Sequence, residues 1–81
     1  MTVNVYFFGH YSDFYPDRPL AITLEEGATI KDLALTLAAI DARLSNIAFH
    51  CRFAIDTEYA VLDQTLEQNT SVAVLPPMSG G

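Results

Sequence analysis

The residues best suited to chemistry are the last six, Pro76-Pro77-Met78-Ser79-Gly80-Gly81. The sequence stops at Gly81, so the expectation is a bare diglycine carboxylate. Glycine has no side chain to block a narrow channel and no β-carbon to restrict φ and ψ. Pro76 and Pro77 donate no backbone hydrogen bonds and hold the chain extended where it leaves the body. Residues 76–81 are therefore expected to form a flexible tail that threads, reactive carboxylate first, into another protein. Chain ends commonly fray. Here an apolar strand, Ser71-Val72-Ala73-Val74-Leu75, runs directly into the tail, and a frayed end rarely springs from a core strand.

The other residues of chemical type carry less. Cys51 is the single cysteine, so an internal disulfide is ruled out. Nothing nearby in sequence lowers its pKa, and a small buried strand residue is expected there. His10 and His50 with one cysteine are too few for a zinc site, so no metal is expected. His10, Ser12 and Asp13 are triad types crowded into four positions, whereas a triad converges from separate elements. Gly9 and Gly27 read as turn glycines, not a phosphate loop. Ten carboxylate residues against four basic ones give a net charge of −6, the wrong sign for neutralising phosphates. Nucleic acid is excluded as a partner. A basic protein partner fits better than nucleic acid, but charge alone favours the simpler reading that an acidic surface serves solubility. No apolar run is long enough to span a membrane, and the start does not resemble a signal peptide. No membrane association and a cytoplasmic location are expected.

The elements that must position the tail fit one domain of 81 residues, 51% hydrophobic. Thr2–Phe8 alternates, with Val3, Val5 and Phe7 on one face and Asn4, Tyr6 and Phe8 on the other. Residues 9–19 form a long connection, and residues 20–24 return as a second strand. Thr29 is placed to cap a helix, with Asp32 in its first turn. Ile30, Leu33, Ala34, Leu37, Ala38 and Ile40 make a stripe that predicts core. Residues 48–55 read as a strand, Asp56-Thr57-Glu58 as a tight turn, and Tyr59-Ala60-Val61 as a short return. Residues 63–70 are polar, with Leu66 as anchor and room for one helical turn. Residues 71–75 are the last strand. One long helix in the middle must cover one sheet face, and the first and last strands can then lie parallel in the centre. The predicted fold class is α+β: a β-grasp (ubiquitin-like) domain over residues 1–75. Its mixed sheet has four to five strands, with one main helix packed on one face.

Strand parity also proposes a docking surface. Val72 and Val74 should face the helix, so Ala73 and Leu75 face outward, as do Tyr6 and Phe8. Tyr59 lies on the short returning strand. An outer patch of Phe8, Tyr59 and Leu75 suits an interface better than a lone monomer.

The stretch Phe53-Ala54-Ile55-Asp56-Thr57-Glu58-Tyr59, then Leu62-Asp63 and Leu66, then Val72 through Gly81, resembles the small subunit of molybdopterin synthase, the MoaD family. Its members commonly show V-N-x-E, L-D-x-x-L and a closing V-A-x-x-P-P-V-S-G-G. Val5-Tyr6-Phe7-Phe8-Gly9 is similar to their first strand, so the likeness spans the chain. Asp56 stands where the family usually has Asn. Gln68-Asn69-Thr70 replaces a D-G-D turn, and His10-Tyr11-Ser12-Asp13 replaces a segment with an Arg-Glu pair.

The resemblance implies a sulfur carrier. An E1-like (MoeB-like) enzyme would use ATP to adenylate Gly81, and sulfur from a donor protein would then leave a thiocarboxylate there. Pro76, Pro77, Met78, Ser79 and Gly80 would thread the arm. The large (MoaE-like) subunit would complete a heterotetrameric synthase, hold the catalytic residues, and make molybdopterin from precursor Z, cyclic pyranopterin monophosphate. Apolar residues at the positions of Phe8, Tyr59 and Leu75 contact partners in the family. This chain would be a carrier without catalytic residues of its own and with no permanently bound cofactor. Alternatives are a carrier for thiamine synthesis or tRNA thiolation, or a ubiquitin-like modifier of lysines.

Overall fold

The computed structural model describes residues 1–13 and 19–76. Strand β1 (Thr2–Phe7) buries Val3, Val5 and Phe7 and turns the alternate positions outward. A 3₁₀ turn follows at Gly9–Asp13. Strand β2 (Leu20–Thr23) returns antiparallel to β1, with Val3 opposite Ile22. Gly27 has a φ of +84°, a left-handed turn position that suits glycine.

Helix α1 (Ile30–Ile40) begins where the sequence places it. The Asp32 N–H donates to Thr29 Oγ1 at 3.3 Å, and the Thr29 N–H donates to Asp32 Oδ2 at 2.9 Å. This reciprocal cap satisfies two donors that a helix start leaves open. Ile30, Leu33, Ala34 and Leu37 are buried against the sheet. Truncating Leu37 to alanine there would cost about 2–5 kcal/mol.

Beyond α1 the structure corrects the sequence reading. Ile40 is exposed and not part of the stripe. The helix stops at Asp41, whose backbone is extended, and Leu44 and Ile47 fill that end of the core instead. Leu44 ends a 3₁₀ turn, Ala42–Leu44, capped by the Asp41 carboxylate, which accepts from the Arg43 N–H at 2.9 Å. Ile47 opens a short helix, α2 (Ile47–His50), so residues 48–50 are helical and not strand. Strand β3 is only Arg52–Ile55. Its ladder with the last strand starts at Arg52 opposite Leu75, and the next residue, Pro76, has no N–H to extend it. Cys51 caps α2 and is half-buried, not a buried strand residue.

Strand β4 (Glu58–Ala60) pairs with β3 across a two-residue turn, Asp56-Thr57. Both turn residues have positive φ, 53° and 69°, the geometry of a type I′ hairpin turn. Residues 63–70 contain no helical turn. They bind the loop ahead of α1: Thr65 bridges Thr29, and the Leu66 N–H donates to the Ala28 carbonyl at 2.8 Å. Leu66 is buried as the anchor. Asn69 takes φ +65°, a left-handed position that asparagine tolerates where the family's turn has glycine.

Strand β5 (Ser71–Leu75) buries Val72 and Val74 completely. The sheet order is β2-β1-β5-β3-β4, with β1 and β5 parallel at the centre and the other pairs antiparallel. Two neighbouring parallel strands need a long crossover, and the chain through α1 supplies it. Among the described residues every buried side chain is apolar. The fold is the β-grasp.

Candidate functional site

The sheet face opposite α1 carries the candidate site. Register sets it residue by residue. Tyr6 pairs with Ala73, Ala73 with Ala54, and Ala54 with Tyr59, so these four form one row across the outer face. The two middle residues are alanines and the two outer ones tyrosines. A row with small side chains between aromatic ones leaves a trough. That trough is an open concavity of about 460 Å³, and Phe8 and Leu75 also line it.

Phe8, Tyr59 and Leu75 are thus on one face and around one depression. Phe8 is 47% exposed and Tyr59 63%, and Leu75 is half-buried. Phe8 lies just past β1, where its N–H still donates to the Val74 carbonyl at 3.0 Å. That bond keeps Phe8 in the outward phase of the strand. Large apolar groups left this open are costly in water unless something covers them. Pro76 is half-buried at the end of β5. Pro77, Met78, Ser79, Gly80 and Gly81 lie outside the described residues.

One residue of this face was missed from the sequence. Arg52 is opposite Leu75, and its guanidinium stands 5.1 Å from the centre of the Tyr59 ring. That is cation–π distance. Only the register of β3 against both β4 and β5 shows it, so no local signal could have found it.

The remaining candidates fall elsewhere. Tyr11 folds back against the edge of the core, where its hydroxyl hydrogen-bonds the Cys51 sulfur. That bond, with burial and the thiol's own charge when ionised, pushes the Tyr11 hydroxyl up to about 12. Burial pushes the Cys51 thiol up as well, against the hydrogen bond from Tyr11. A raised thiol pKa opposes a nucleophilic role. Among the described residues no group of His, Cys, Asp and Glu is arranged to hold a metal ion. Among them no helix is long and apolar enough to cross a membrane.

A β-grasp sheet with an apolar outer face, beside a central strand that leads into a Pro-Pro-Met-Ser-Gly-Gly sequence, is the arrangement of a ubiquitin-like carrier domain. The profile of the ThiS family matches residues 5–81, and the chain belongs to that family, as a ubiquitin-like protein of MoaD type. It is 30% identical to the molybdopterin synthase sulfur carrier subunit of Caenorhabditis elegans, over 100% of this chain and 99% of that one. It is 28% identical to the molybdopterin synthase sulfur carrier subunit of Chlamydomonas reinhardtii, over the full length of both. Among solved structures, SAMP1 from Haloferax volcanii matches with a TM-score of 0.82 at 20% identity, covering 100% of both chains. A chain from the complex of subunits 1 and 2 of molybdopterin-converting factor from Helicobacter pylori matches with a TM-score of 0.69 at 23% identity, again covering 100% of both. The two structural likenesses are likenesses of fold.

Proposed function

We propose that this chain is the sulfur-carrier small subunit of molybdopterin synthase, and that Gly81 holds the sulfur as a thiocarboxylate. The observation that carries the reading is the placement of the apolar face. Phe8, Tyr59 and Leu75 surround one trough, and Leu75 is the last residue of the strand that leads into the arm. A partner seated on that face would lie beside the root of the arm. The full-length likeness to two proteins named as sulfur carrier subunits supports sulfur as the cargo. A chain of like fold occurs in a complex of two converting-factor subunits, which supports a large-subunit partner.

The chemistry follows from the carboxylate. Its negative charge repels nucleophiles, so it must be activated. A Gly81 carboxylate oxygen attacks the α-phosphorus of ATP on an E1-like enzyme, and pyrophosphate leaves. Hydrosulfide then adds to the acyl-adenylate carbonyl, AMP leaves, and one proton is released. The product is an anionic, nucleophilic sulfur on the arm. The large subunit would hold the catalytic residues that pass this sulfur to cyclic pyranopterin monophosphate. The carrier returns as carboxylate and is recharged.

Intact mass tests the reading. Incubation with an E1-like adenylating enzyme, ATP and sulfide is expected to raise the mass by about 16 Da, oxygen replaced by sulfur. No rise under conditions that charge a known carrier would sink it. Covalent attachment to partner lysines instead would make the chain a protein modifier.

A further inference from the structure

The arm's reach and aim depend on where the chain stops being held, and the structure shows that point. Gly9 has φ +65°, and a β-carbon built on it would lie 2.7 Å from Pro76 Cγ and 3.2 Å from Pro76 Cδ. Real β-carbons do not approach a ring carbon that closely, so only glycine leaves room for the Pro76 ring. The turn around Gly9 is held on both sides. The Phe8 N–H ahead of it donates to the Val74 carbonyl at 3.0 Å. The Gly9 carbonyl accepts from the Ser12 hydroxyl at 2.8 Å. Pro76 cannot rotate freely about its own N–Cα bond, because its ring fixes φ. A fixed ring in a fixed notch sets the direction of the bond that follows.

We propose that Gly9 is a positioning residue for the carboxyl-terminal arm, its missing β-carbon forming the seat that holds Pro76 and so fixes where and at what angle the arm leaves the body. The proposal rests on the sulfur-carrier reading for its functional consequence, though not for the seat itself. Gly81 is five residues past Pro76, and five residues can span at most about 18 Å. Over so short a reach, a change of direction at the root would shift the region open to the terminal carboxylate by several ångströms. Misplacement of a reacting group by about 1 Å can already cost on the order of 100-fold in rate. The seat therefore acts on the chemical step and leaves the docking face untouched.

A double-mutant cycle on the full chain tests this. Gly9→Asn adds the β-carbon while keeping a residue type that tolerates the left-handed backbone. Pro76→Ala removes Cγ and Cδ and leaves Cβ, which at 3.5 Å from the added atom is an ordinary contact. Charging rates are measured by mass with adenylating enzyme, ATP and sulfide over a range of carrier concentrations. Gly9→Asn is expected to lower the maximal rate at least about tenfold while KM changes less than about twofold. Adding Pro76→Ala to Gly9→Asn is expected to bring the rate back to that of Pro76→Ala alone. Losses that simply multiply would overturn the proposal, since strain in the Gly9 turn is the same with either residue at position 76.

Residual dipolar couplings of the amides of Met78, Ser79, Gly80 and Gly81 give a readout that needs no charging. They are expected to change in Gly9→Asn and in Pro76→Ala while the couplings of the sheet stay fixed. If no chain is charged, the parent included, the sulfur-carrier reading fails and the couplings alone judge the seat. If Gly9→Asn does not fold, Pro76→Ala takes its place in that measurement. Arm couplings unchanged in every folded variant overturn the seat.

Discussion

Leu75 is the residue at which face and arm meet. Its side chain points away from α1, beside Phe8 and opposite Arg52. Leu75→Glu puts a charge into that trough opposite Arg52, and taking such charges out of water at an interface centre still costs several kcal/mol even when they pair. Affinity for the large subunit, measured by calorimetry, is expected to fall at least about 100-fold, with the melting temperature little changed. A variant that unfolds would mean that Leu75 is core, and one that still binds tightly would mean that the face is not used. The Tyr11–Cys51 pair makes a second prediction at this scale. Tyr11 is raised from 10.0 to about 12, so its neutral form is favoured in the folded chain. The stability this contributes is complete below the unfolded value. It is lost as pH rises from the unfolded value through the folded one. In a titration followed at the tyrosinate absorbance, one tyrosine should ionise only near pH 12, and Tyr11→Phe should remove that component. Tyrosinate appearing in full before that pH in the folded parent would contradict the pairing.

At the scale of elements, the β3–β4 hairpin is the informative case. Its turn holds Asp56 and Thr57 at positive φ, and Thr57 is β-branched. A β-branched residue there is strained, and glycine is the residue such a turn favours. Left-handed backbone costs a non-glycine residue about 1–2 kcal/mol, partly offset because glycine loses more entropy on folding, about 0.5–1 kcal/mol. Thr57→Gly is therefore expected to raise stability in urea by about 0.5–1 kcal/mol. A destabilised variant would mean that the Thr57 side chain earns its place by contacts. The same local reasoning explains what could be read early. The Thr29–Asp32 cap, the turn at Asp56-Thr57 (read one residue too long, since Glu58 already pairs in β4) and the alternation in β1 are set by neighbours in sequence. Helix α2 was read as strand because Ala48, Phe49 and His50 have no helical stripe of their own, and the extent of β3 is set by where β5 ends.

At the scale of the whole molecule, charge is the property that matters. The chain carries net −6, yet the trough beside the root of the arm is mostly apolar, with Asp56 among its lining residues and the Arg52 cation beside Tyr59. Glu25, Glu26, Asp32, Asp63 and Glu67, none of which lines the trough, are exposed. Long-range attraction to a basic partner would thus speed encounter, while the trough sets the lifetime of the complex. Raising salt from about 0.05 to 0.5 M is expected to slow association with the large subunit severalfold and to alter dissociation little. An association rate independent of salt would show that the net charge serves solubility alone.

The sequence by itself determined the fold class, the capped helix and its buried stripe as far as Leu37, and the outward phase of Phe8 and Leu75. These depend on short-range periodicity, which a single chain displays directly. The chemistry proposed for the arm also starts from the sequence, because Gly80 and Gly81 can be read without knowing where they sit. Tertiary structure alone decided that Tyr6, Ala73, Ala54 and Tyr59 form one row, since three separate pairings fix it. It alone placed Arg52 over Tyr59 and the Pro76 ring in the notch of Gly9. Residues 9 and 76 are at opposite ends of the chain. They meet because β1 and β5 are parallel neighbours, so that both strands end at the same edge of the sheet and the missing β-carbon of one falls beside the ring of the other.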